Sequence, residues 1–224
     1  MLKAGIDQNA IISMFASASA KGGEQLRKGV ADATLAALQG RELSLKNIRA
    51  VLKSMAQAAS TGAAQNVTGG IDVEALLDKA VTGMDDALVK AVEANRVALQ
   101  QFVAQGADLR EKHLKKAVAD LESMEDTFIG ALKKATEAAN AQVASQWAPV
   151  LEKLQAGGTM SGTQAATAAE QFAGQMQSAL RDSRAAGLHA AQTLAESYTT
   201  LVSGVLIGMS DALAQGRSPA AKKK

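Results

Sequence analysis

The 224-residue chain is 47% hydrophobic but only 3% aromatic, has no cysteine, and carries 24 basic against 22 acidic residues. That length suffices for one domain with a real core or one extended helical array, and the missing cysteine excludes disulfides and thiolate chemistry. Four cations sit within Arg217–Lys224 without an acid, so the rest of the chain holds 20 basic against 22 acidic residues and shows no chain-wide nucleic-acid footprint.

Alanine makes up about a fifth of the chain, far above ordinary usage. It is the best helix former because it loses no side-chain entropy, but it buries little area. Two prolines, Pro149 and Pro219, leave long helical segments uninterrupted. The expected fold is all-α: long amphipathic helices in an extended bundle or an oligomeric assembly.

Residues 1–23 read as a separate N-terminal segment. Lys3, the stretch Ala10–Ala16 and the run Ser17-Ala18-Ser19-Ala20 imitate a signal peptide with a small-residue cleavage site. Asp7, Gln8 and Asn9 interrupt that pattern, and the apolar stretch is short. Nowhere does an apolar run reach the ~20 residues that a membrane span requires. The cytoplasm is the expected compartment, with association to a granule or membrane as the alternative placement.

Glycine pairs at Gly22-Gly23, Gly69-Gly70 and Gly157-Gly158 mark helix boundaries within a single helical domain over 24–215. The first helices are expected at about 24–38 and 44–60, the second with Leu45, Ile48, Leu52, Met55 and Ala59 on one stripe. Thr61–Gly70 reads as a loop. Asp72 is the expected N-cap of a periodic segment over 72–156, with Glu74 at the positive end of the dipole.

One stripe can be traced through Met84, Leu88, Ala91, Asn95, Leu99, Phe102, Gly106, Leu109, His113, Ala117, Leu121, Met124, Phe128, Leu132 and Ala135. Its step of about 3.64 residues suits a straight helix better than a heptad coiled coil. Asp86 with Lys90, and Glu111 with Lys115, stand in the favourable acid-before-base order. Uninterrupted to Pro149, such a helix would be roughly 110 Å long. A bend at Gly106 or Gly130 would instead make a hairpin, and the sequence leaves both forms open.

After a loop over Gly157–Gly162, a final helix is expected over 163–214. Its stripe runs through Phe172, Met176, Ala179, Ser183, Ala186, Ala190, Leu194, Tyr198, Leu201, Val205 and Met209. Leu201–Met209 is apolar around most of its circumference and needs a cover of protein or lipid. Within it, Gly204 and Gly208 form a small-xxx-small pair, suited equally to close oligomer contact and to ordinary bundle packing. Trp147 beside Pro149 suits a packed indole at a helix terminus better than an interfacial anchor. Residues 216–224 form a basic tail expected to be disordered.

Catalysis finds little to use, and an enzyme is not expected. His113 and His189 are the only histidines, and neither has a second nitrogen or sulfur at metal-ligand spacing. Asp85-Asp86 and the cluster Glu122, Glu125 and Asp126 read as a solvated helix face. The glycine pairs lack the Lys and Ser/Thr of a phosphate-binding loop. No catalytic residue, metal or cofactor is expected.

The Ala-rich amphipathic helices, the absence of cysteine, the scarcity of aromatics, repeated Ala-Gln patches and the Ala-Ala-Lys-Lys ending are spread over residues 24–215 and the tail. This texture resembles phasins, the proteins that coat bacterial polyhydroxyalkanoate granules. Over its whole length the chain is also similar to a proteobacterial family of unknown function, through Ala36–Arg49, Ala94–Glu111 and Ser203–Ala212. That second resemblance implies no activity.

The expected function is a non-enzymatic coat on a hydrophobic surface, with a granule or a lipid as partner. A homo-oligomer is expected, and the alternative functions are a self-assembling scaffold and a helical pore-former or membrane remodeller inserting Leu201–Met209. Expected contacts with the surface or a second copy are Leu88, Leu99, Phe102, Leu109, Leu121, Met124 and Phe128, then Leu201, Gly204, Val205, Leu206, Gly208 and Met209. The tail cations Arg217, Lys222, Lys223 and Lys224 offer nucleic acid only a weak, salt-sensitive attraction.

Overall fold

Alanine and leucine spaced at helical period build helices throughout the computed structural model, which describes residues 7–17, 22–39, 44–65, 72–106, 112–182, 198, 201, 202 and 204–207. Among residues 7–182, the described helices in order are α1 (Gln8–Ser17), α2 (Gly23–Leu38), α3 (Leu45–Ala64), α4 (Val73–Ala104), α5 (Lys112–Glu122), α6 (Met124–Thr136), α7 (Ala141–Gly157) and α8 (Met160–Asp182), and 198, 201, 202 and 204–207 are helical as well. The protein is an all-α bundle, with no strand among the described residues.

Local chemistry sets several of the ends. Ser44 caps α3 through Asn47 N, Asp72 accepts from Ala75 N at 2.9 Å, and Asn140 accepts from Val143 N at 2.9 Å. Each satisfies an orphan amide of a first turn. Thr61–Ala64, expected in a loop, belong to α3, with Ala63 fully buried, and 66–70 lie outside the described residues.

The segment expected over 72–156 is four helices. Gly106 adopts φ +84° at the end of α4, a left-handed conformation that stops a helix and that glycine tolerates best. Ser123, at φ −93° and ψ 8°, interrupts α5 and α6 for a single residue. The Asn140 cap opens α7. Gly130, the other candidate bend, lies inside α6.

Packing joins helices distant in sequence. α4, with 32 residues and a length of about 48 Å, lies most extensively on α2, while α3 receives α6 and α1, and α8 bridges α4 and α5. α1 belongs to this body: Ile11 and Phe15, within the segment expected to stand apart, are buried in the common core. Much of the core is alanine, including Ala56, Ala59, Ala80, Ala87, Ala91, Ala94 and Ala98. Such methyl-sized layers let helix axes approach closely, though each contributes only about one methylene's worth of burial. Where α2 crosses α4, a Cβ on Gly83 would stand 2.4 Å from the Arg27 carbonyl oxygen, so only glycine fits that crossing.

Candidate functional site

The large side chains of the traced stripe that are described lie in the core. Leu88, Leu99, Phe102, Leu121, Met124 and Phe128 are at most 3% exposed, each covered by other helices of the same chain. Val202 and Leu206 are buried in that core too, with Leu201 and Val205 partly buried against it. Gly204 is exposed, and a Cβ built on it would meet nothing, so it makes no close helix contact among the described residues. Leu109, Glu111, Gly208, Met209, His189, the His113 side chain, the Gly69-Gly70 pair and the tail cations Arg217, Lys222, Lys223 and Lys224 lie outside the described residues, as does most of the helix expected beyond residue 182. Among the described residues, the large exposed hydrophobic side chains are Met160 and Ile207.

The most elaborate polar construction is the start of α8. Asp85, on α4 and only 8% exposed, accepts from Met160 N through Oδ2 at 2.9 Å and from Ser161 N through Oδ1 at 3.0 Å. Glu125, on α6, accepts from Thr159 N at 2.9 Å. Thr159 Oγ1 accepts from Gly162 N at 2.9 Å. The Thr159 carbonyl takes Thr163 N at 3.1 Å and begins the regular ladder. All the amides that a helix start leaves orphaned are thereby satisfied, two of them by one buried carboxylate. The positive end of the α8 dipole compensates the two anions.

Two glycines make room for Glu125. A Cβ on Gly158 would lie 2.9 Å from Glu125 Oε1, and one on Gly162 would lie 2.8 Å from Glu125 Cβ. Gly158 also takes φ +71° between α7 and α8. Sequence reasoning placed Asp85-Asp86 and Glu125 on a solvated face and began the last helix near residue 163. The capping carboxylates come from positions 75 and 34 residues away, and no local pattern announces them.

Asp86 also finds a distant partner. Instead of the expected Lys90 it receives Arg27 in a bidentate pair, Nε to Oδ2 at 2.7 Å and Nη2 to Oδ1 at 3.0 Å. The planar guanidinium fork suits a carboxylate better than a lysine on the same helix face. The Arg27 pKa is accordingly raised, mainly by the hydrogen bond to Asp86. Lys79 reaches Glu24 at 2.5 Å, and Lys153 reaches Asp78 at 2.9 Å. These contacts tie α2 and α7 to α4.

An open cleft of about 430 Å³ lies where α3, α6 and α7 meet, lined by Gln57, Ser60, Thr61, Ala64, Ala135, Ala138, Ala139 and Asn140. Its lining offers amides, hydroxyls and methyl groups but no titratable side chain, hence no general acid or base. Among the described residues, no three His, Asp or Glu side chains converge as a metal site, and no helix is long and apolar enough to cross a membrane.

Residues 1–215 match the model of a family of unknown function, DUF6781, in agreement with the whole-chain resemblance. No curated protein and no solved structure matches the chain.

Proposed function

The chain belongs to the DUF6781 family, a membership that assigns no activity, and from its geometry we propose a non-enzymatic coat protein that keeps its apolar stripes folded inward until it meets a hydrophobic surface. The partner is a phasin-like one, a polyester granule or a lipid surface, and the setting is cytoplasmic. One observation carries the proposal: the helices are amphipathic, and the large stripe side chains that an apolar surface would need, Leu88, Leu99, Phe102, Leu121, Met124 and Phe128, are at most 3% exposed in the folded bundle. An amphipathic helix can exchange sister helices for a greasy surface without breaking its own hydrogen-bond ladder. Alanine-rich layers lower the cost of that exchange, since each methyl buried between helices contributes on the order of 0.8 kcal/mol.

The test is flotation or sedimentation of the purified chain with polyester particles and, separately, with neutral and anionic liposomes. Partition with a retained helical circular dichroism signal is the expected result. A chain that stays in solution at every particle area, with its thermal transition unchanged, defeats the proposal.

A second reading is a structural or scaffold protein that works as the closed bundle, alone or as a homo-oligomer. The complete burial of Leu88, Leu99 and Phe128 favours it, because these stripes already have a counterpart. Light scattering that finds one salt-insensitive species without affinity for apolar particles selects this second reading.

A further inference from the structure

We propose that α8 is a releasable strap across α4 and α5, fastened at its first turn by the carboxylates of Asp85 and Glu125. The surface consequence rests on the coat function proposed above; the strap itself does not.

Three features of the fold set α8 apart. It joins the bundle through Gly158 and Thr159, and Gly158 takes a left-handed conformation there. That short connection holds α8 to α7 while it swings. Among the described residues its buried face is light: Ala165, Ala168 and Ala169 surround Phe172, with Met176 partly buried beside them. Lifting this face forfeits less burial than removing a leucine-rich helix. The third feature is a standing penalty. Among the described residues, the buried side-chain oxygens without a hydrogen-bond partner are Gln164 Oε1 and Gln175 Oε1, both on α8. Buried unpaired carbonyls favour the state in which water reaches them.

The fastening supplies what the face lacks. Three backbone amides of the α8 start point at charged acceptors on two other helices. Charge-assisted hydrogen bonds are the stronger kind, and they vanish together once the first turn lifts. α4 and α5 each pack on α8, so its departure uncovers the side of the α4 stripe that α8 covers, while α2 keeps its own. The strap therefore decides when that stripe can meet an apolar surface.

Hydrogen exchange read by mass spectrometry on the full chain tests this without any surface present. In the wild type, amides of α8 should exchange through a sub-global opening while α2 and α4 stay protected. Glu125→Gln should speed exchange in α8 on the order of 10-fold, and Asp85→Asn further, because an amide group turns a donor toward helix N–H groups. Protection in α2 and α4 should not change in Glu125→Gln. If Asp85→Asn fails to fold, the wild type and Glu125→Gln still decide the matter. Exchange of α8 and α4 at one common rate in both proteins overturns the strap.

A separate arm measures adsorption of the same proteins to polyester particles. Faster adsorption by Glu125→Gln supports the coupling of strap to surface. Selective α8 exchange with no adsorption by any variant leaves the strap supported and refutes the coat function.

Discussion

Trp147 Nε1 donates to Ser60 Oγ at 3.0 Å, joining α7 to α3 across 87 positions of sequence, with the indole fully buried. Ser60 Oγ donates in turn to the Ala56 carbonyl at 2.8 Å, so both groups are satisfied. Ser60→Ala leaves an indole N–H buried without a partner and should cost about 1–3 kcal/mol. Trp147 is the single tryptophan, so fluorescence-detected urea unfolding reads the change directly. An unchanged midpoint would mean that water reaches the indole.

Two glycines inside helices should respond to alanine with opposite signs. Gly83→Ala drives a methyl to 2.4 Å from the Arg27 carbonyl and 3.1 Å from Val30 Cβ, where backbone must yield. A loss of about 1–3 kcal/mol is expected from overpacking at the α2–α4 crossing. Gly130→Ala meets nothing within 4 Å and should gain about 0.5–1 kcal/mol from reduced backbone entropy in the unfolded chain. Thermal unfolding of both variants checks the pair, and equal shifts would contradict the close crossing.

The same crossing shows what a sequence can announce. Helical period, the Asp72 cap and the apolar stripe through Met84, Leu88, Leu99, Phe102, Leu121, Met124, Phe128 and Leu132 follow from residue spacing alone, since they depend on neighbours three or four positions away. The cuts at Gly106 and Ser123 are less legible, because an isolated glycine or serine is compatible with a continuing helix. Least legible are Asp85 and Glu125. On a mixed-charge helix a carboxylate looks solvated, and only the docking of α8 turns it into a cap. Nor does amphipathicity say which partner covers a stripe. Spacing describes Leu88 and Phe128 identically, whether they face sister helices or a granule.

The ion pair between Glu24 and Lys79 predicts a pH response. The hydrogen bond from Lys79, and then its charge, hold the exposed Glu24 carboxyl below its ordinary range. A carboxyl depressed in the folded state stabilises the fold above its unfolded pKa, and that contribution is lost as pH falls through the folded value. Carbon NMR titration should place the Glu24 midpoint below an ordinary glutamate, and Lys79→Met should return it upward. Because the pair is exposed, raising the salt concentration should produce part of the same return. A midpoint insensitive to Lys79→Met would remove the pair from solution.

Tyr198 supplies an optical probe, as the chain's single tyrosine. Its hydroxyl donates to Asn95 Oδ1 on α4, and its ring meets Phe102 edge-on at a centroid distance of 5.3 Å. Burial first, and the negative charge of Asp120 second, push the phenol well above its ordinary value of 10.0. The neutral phenol is thus the form the fold favours. Its contribution to stability is full below the unfolded pKa of about 10 and declines as pH rises toward the folded value. An alkaline absorbance titration should show phenolate appearing together with loss of the helical signal, since the bundle opens before the buried hydroxyl ionises. Asp120→Asn should move the phenolate midpoint down while burial still holds it above that of free tyrosine. Ionisation near pH 10 with the helical signal intact would place Tyr198 in water and detach its segment from the α4 face.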